Sequence, residues 1–100
     1  MSYSEIEMKV LQWGEARKIV QNATAMSQAI KTLEETTELL DAINKDDIDE
    51  IKDAVGDIVV TLIMVCAVKD IDLVTCLDGA YQQIKDRKGY LTPQGAFIKE

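Results

Sequence analysis

One hundred residues, 47% of them apolar, predict one domain spanning 1–100 with its own core and exclude a disordered tail. Eleven Lys and Arg against eighteen Asp and Glu leave a net charge of -7, which disfavours a direct DNA or RNA role, since that needs a basic, counterion-displacing surface. The absence of histidine excludes Ser-His-Asp and Cys-His catalysis and a zinc site of the usual His/Cys kind.

With one Trp, three Tyr and one Phe, the core must be aliphatic, which suits packed helices. The first helix is predicted from about Ser4 to Val20, with Ile6, Val10, Trp13 and Val20 at helical spacing and Ser4 with Glu7 as a capping box. After a break at Gln21-Asn22-Ala23, Thr24 caps a second helix that places Met26, Ile30, Leu33, Thr37 and Leu40 on one face. Asn44-Lys45-Asp46 is a turn, and Asp46 or Asp47 caps a third helix through Ile48, Ile51, Val55 and Val59. That helix ends in an apolar run, Ile58 to Val68, too short to span a bilayer and apolar all round. It is expected to be buried on every side, partly by a second subunit. Asp72 caps a fourth helix through Lys88, ended by Gly89. Thr92-Pro93-Gln94-Gly95 is a β-turn in a short C-terminal hairpin tail. Cys66 and Cys76, both in apolar stretches, read as free buried thiols. The polar, acidic start, Met1 to Glu5, has no basic segment of the secretory kind. The fold class is all-α, a four-helix bundle.

Ten of the eighteen acids fall between Glu34 and Asp57, against two basic residues, Lys45 and Lys52. Glu38 shares a helix face with Glu34 and Glu35, and Asp41 extends it; Glu50, Asp53 and Asp57 form a stripe on the next helix. The short turn makes these helices antiparallel neighbours, so the stripes can face each other. Like charges so placed repel, and a cation between them converts that cost into a binding site. Carboxylates alone select hard cations: Mg²⁺, Mn²⁺ or Ca²⁺. The plainer reading, a solvated helix face, suits Asp46, Asp47, Asp49 and Glu34. It suits Glu35, Glu38 and Asp57 less well, because Asp57 directly precedes the apolar run and a carboxylate there needs a partner.

The stretch Lys31-Thr-Leu-Glu-Glu-Thr-Thr-Glu38-Leu, with Gly56-Asp57 and Ile-Val-Val-Thr-Leu after it, resembles the MazG-type nucleoside triphosphate pyrophosphohydrolases. Their motif is Glu-Glu-x-x-Glu on one helix and Glu-x-x-Asp on the next. Trp13, Gln28, Lys31 and Ile84-Lys-Asp-Arg-Lys-Gly89 extend the likeness to short, single-domain, phage-type members. The resemblance implies an all-α fold assembling as a dimer or dimer of dimers. It implies Mg²⁺-dependent hydrolysis (Mn²⁺ substituting) of a nucleoside or deoxynucleoside triphosphate between the α and β phosphates, giving the monophosphate and pyrophosphate. Purine triphosphates, dGTP among them, are the expected substrates. The setting is the nucleotide pool of a bacterial or phage-infected cytoplasm, with no nucleic-acid or membrane partner.

Carried over by position, Glu35 and Glu38 match the first ligand pair and Asp57 the last. The family's Glu three residues before that Asp is Ala54 here, and Asp53, one helical turn from Asp57, can serve instead. A competing register takes Glu50 and Asp53 as the pair. Glu35 or Glu38 is the candidate general base. Lys31, with Lys85 or Arg87, is the candidate phosphate holder; Lys88 fits a helix C-terminus. Trp13 stacks on a base or belongs to the core, and Gln28 reads a base edge or faces solvent. Two other readings compete: a non-catalytic helical dimerisation module joined through the apolar run, and an acidic mimic of nucleic acid.

Overall fold

Four of the five helices in the computed structural model, which describes residues 1–100, start at a small polar side chain, and three of the five end on a left-handed residue. The elements are α1 (Tyr3–Ala16), α2 (Ile19–Asn22), α3 (Ala25–Asn44), α4 (Ile48–Val68), α5 (Leu73–Ile84), β1 (Gly89–Leu91) and β2 (Phe97–Lys99); the single-turn α2 is the exception at its start, having no side-chain cap. Thr24 and Ser27 form a capping box at α3, and Asp47 and Asp72 cap α4 and α5 through the N–H groups of Glu50 and Thr75.

The first and last helices depart from expectation. Ser2, not Ser4, caps α1, its hydroxyl accepting the Glu5 N–H at 3.2 Å. This helix stops at Ala16, because Lys18 turns left-handed (φ 63°) and the chain restarts as α2, which takes Val20 away from the Trp13 helix. Helix α5 ends at Ile84 rather than Lys88. Lys85-Asp86-Arg87-Lys88 offers no apolar side chain to pack, while Gly89 pairs with Lys99 and draws the chain into the hairpin. There the Gly95 N–H reaches the Thr92 carbonyl at 2.9 Å and Gly95 takes φ 88°, the positive value the turn requires.

Helices α3 and α4 form the body of the molecule. Only Lys45–Asp47 separates them, and Asp46 sits at φ 54°. The Asp46 and Asp47 N–H groups close back on the carbonyls of Ile43 and Ala42, a Schellman ending, and Asp47 at once caps α4. Along the interface the hydroxyls of Thr32 and Thr61 meet at 2.7 Å. One donates across; the other is left to its own helix, where the Gln28 and Ile58 carbonyls lie within reach. Helix α1 crosses α4 at Gly14, where an added Cβ would stand 2.5 Å from the Met64 sulfur. That close approach sets Trp13 beside α4.

The run Ile58 to Val68 has no exposed residue: Thr61, Ile63, Met64 and Cys66 are buried and the others half-buried. Both cysteines are free, but Cys76 is exposed, contrary to expectation, because α5 hardly packs on the body: past half-buried Leu73 all its residues are exposed. The face Met26-Ile30-Leu33-Thr37-Leu40 is also exposed. Helix α3 turns instead Gln28, Thr32, Glu35, Leu39 and Ala42 inward. The chain exposes 7551 Å², where a compact monomer of its mass exposes about 5,700 Å². No helix is long and apolar enough to cross a membrane.

The Thr32–Thr61 contact should be visible in stability. Thr61→Val is expected to destabilise the fold by about 1 kcal/mol in urea unfolding. Thr32→Val with Thr61→Val should cost no more than either change alone, since both partners leave together.

Candidate active site

The hairpin of α3 and α4 brings three carboxylates together. Glu35 and Glu38 from α3 and Asp57 from α4 each place one oxygen within 4.8 Å of the others. Glu35 lies one turn beyond Thr32, and Asp57 one turn before Thr61, so the paired hydroxyls set the register at which the acids meet. Glu38 and Asp57 are exposed. Glu35 is half-buried, and its Oε2 is sealed from solvent with no hydrogen-bond partner. Burial first, then the contact and charge of Glu38 and the charge of Asp57, push the Glu35 carboxyl above the usual glutamate range; Lys31 pulls weakly the other way.

Three further acids, Asp41, Glu50 and Asp53, line a cleft of about 340 Å³ between the same helices, with Glu38 and Asp57 also in its walls. Asp53 and Glu50 both face this cleft, and neither joins the converging three. Ala54, at the position of the expected Glu, is buried at the cleft. Lys45 closes the far end on Asp41 at 3.0 Å. The hydrogen bond and charge of Asp41, with the charge of Glu50, raise its pKa above the ordinary lysine value. Glu34 turns out to solvent, where Lys31 meets it at 3.3 Å.

A second cavity of about 340 Å³ opens on the other side of the acids. Trp13, Gln28, Lys31, Glu35 and Asp57 all line it. Three candidate substrate contacts therefore converge on two of the acids. A third cavity, about 310 Å³, runs from Trp13 and Val10 to Asp57. Lys85 and Arg87 line none of these spaces; they lie exposed beyond α5. Two residues of the site escaped sequence reasoning. Arg17 lays its guanidinium over the Trp13 ring, 4.9 Å from the centroid, and its spacing of four from Trp13 was the available signal. Lys45 stands four residues after Asp41, the same helical spacing, which was its available signal.

The donor set fits a hard divalent cation: three carboxylates meet, and one of their oxygens is buried without a partner. Without metal, the folded chain holds the Glu35 proton to higher pH than the unfolded chain does. The stability of the metal-free protein should therefore fall as pH rises above the ordinary glutamate pKa and through the raised one. Glu35→Gln should remove that fall, so that its melting temperature in EDTA stays above wild type on the high-pH side of the transition, checked by thermal melts across pH.

The family model described as the MazG nucleotide pyrophosphohydrolase domain matches residues 22–92, which include both acid-bearing helices. A relative from Haemophilus phage HP1 (strain HP1c1), named "Uncharacterized 18.2 kDa protein in rep-hol intergenic region", is 38% identical over 63 residues. The match covers 63% of this chain and 39% of that relative's length, so the chain spans well under half of the curated relative it matches. No solved structure matches the chain. Through residues 22–92, the chain belongs to the MazG nucleotide pyrophosphohydrolase family.

Proposed function

We propose that the chain is a nucleoside triphosphate pyrophosphohydrolase that splits its substrate between the α and β phosphates, releasing pyrophosphate and a nucleoside monophosphate. The observation that carries this reading is the meeting of Glu35, Glu38 and Asp57, with one buried Glu35 oxygen left unpartnered. These three would hold Mg²⁺, or Mn²⁺ in its place, and Asp53 is a further ligand from the cleft wall. A cation held there would supply positive charge against the phosphates and would acidify the attacking water.

The chain's own residues do the rest. Glu38, exposed beside the cleft, takes the proton from water; Glu35 is the alternative base, its affinity for a proton raised by burial and by the neighbouring acids. Lys31 is the cation nearest the acids on the cavity wall and holds phosphate oxygens once it leaves Glu34. Trp13 stacks on the base and Gln28 meets a base edge, both in the cavity shared with Glu35 and Asp57. A purine presents the larger surface to the indole, which favours purine triphosphates, dGTP among them.

Assembly belongs to the same proposal. Met26, Ile30, Leu33, Thr37 and Leu40 alternate at spacings of four and three, the period of a coiled-coil seam, and carry no charge. Met26, Leu33 and Leu40 are each more than 60% exposed. The excess surface of one chain is larger than the roughly 800 Å² that each partner gives to a standard interface, and suits an extensive one. A second copy of the chain covers this face, making a homodimer or a dimer of dimers. Lys85 and Arg87 contact phosphate only if another copy carries them to the site.

Pyrophosphate should appear in Mg²⁺ and not in EDTA; inorganic phosphate alone would mean that a different bond is broken. Glu38→Gln and Asp57→Asn should each lower turnover by about 10²- to 10⁴-fold. Circular dichroism and the sedimented mass should stay unchanged. Leu33→Glu should shift the sedimented mass toward one chain. A melting temperature indifferent to millimolar Mg²⁺ and Mn²⁺ would sink the enzyme reading and leave a dimerisation module.

A further inference from the structure

Trp13 is the chain's only tryptophan, stands near the end of α1, and is 41% exposed. It lines two cavities, and both reach Asp57. Core packing alone does not hold so exposed a ring. Arg17, one turn later, does: its guanidinium lies 4.9 Å from the ring centroid. The backbone fixes that pairing. The Arg17 N–H bonds the Trp13 carbonyl at 3.2 Å, and left-handed Lys18 then turns the chain away into α2. Arg17 has no carboxylate partner; the ion pairs of the molecule are Lys31 with Glu34 and Lys45 with Asp41. It also lines neither cavity, so it touches the ring from outside the space open to a ligand. Trp13 and Arg17 precede the stretch 22–92 that matches the family.

We propose that Arg17 is a positioning residue for the nucleobase: resting on one part of the indole, it holds Trp13 ready to stack, and so acts on the base-bearing end of the substrate and not on its phosphates. This rests on the nucleotide reading above. A ring ordered before binding loses less rotational freedom when the base arrives. A guanidinium suits this task better than an ammonium, since its flat face lies against the ring.

Two probes separate the ends of the substrate. A nucleoside triphosphate with a methylene bridge between the α and β phosphorus atoms carries a base and resists hydrolysis; inorganic tripolyphosphate carries none. Both are titrated calorimetrically in Mg²⁺ into wild type, Arg17→Ala and Arg17→Lys. Arg17→Ala should weaken the nucleotide about 3- to 10-fold and leave tripolyphosphate unchanged, and Arg17→Lys should recover part of the loss. The fluorescence anisotropy of the single tryptophan should drop in ligand-free Arg17→Ala. Equal weakening of both probes would make Arg17 a phosphate contact and overturn the proposal, as would no weakening of either. Wild type that binds neither probe would overturn the nucleotide reading, and this proposal with it.

Discussion

The register between α3 and α4 governs everything functional in this chain. A three-residue connection with Asp46 left-handed makes the two helices antiparallel, and the Thr32–Thr61 contact at 2.7 Å stops them sliding. Side chains three and four residues away on an α-helix share a face. Thr32 therefore places Glu35, and Thr61 places Asp57. A shift by one residue would rotate either acid roughly 100° around its helix and break the group apart. A hydroxyl pair suits such a pin, because its geometry is directional where aliphatic packing is tolerant.

This register places like charges together at a cost. Three carboxylates meet while one oxygen of Glu35 is sealed from water and unpartnered, which is the arrangement a folded core avoids. Ala42, Ala54 and Met64 stay buried beside it, and Glu38 and Asp57 keep their solvent. The strain is thus confined to one carboxyl. A proton on Glu35 would relieve it, which is the direction in which burial and the neighbouring acids push that carboxyl, and a divalent cation would relieve it more completely by engaging all three acids.

Much of this was legible in the residues. The caps at Thr24, Asp47 and Asp72, the turn at Asn44 to Asp46, the facing acidic stripes and the C-terminal hairpin follow from local chemistry and helical spacing. So does the trio Glu35, Glu38 and Asp57, which the motif also marks. What escaped was tertiary. Nothing local distinguishes a left-handed Lys18 from a continuing helix, so the break between α1 and α2 was missed. The end of α5 depends on strand pairing between Gly89 and Lys99, a contact across ten residues. Asp53 has the right spacing from Asp57, yet spacing does not say whether a carboxylate turns toward the trio or along the cleft wall.

The apolar stripe of α3 shows how two demands share one helix. Side chains two residues apart point to nearly opposite sides, about 200° around the axis. Gln28 and Glu35 turn inward, while Ile30 and Leu33 turn out. A partner seated on the outer stripe would therefore leave the acids and the Trp13 cavity uncovered. It would also stiffen the helix that carries two of the three carboxylates. In the single chain, α3 is supported along α4 only on its inner side, and its outer apolar side chains face water. Coupling between assembly and site then needs no contact between partner and substrate: whatever orders the outer face of α3 also orders Glu35 and Glu38 on its inner one.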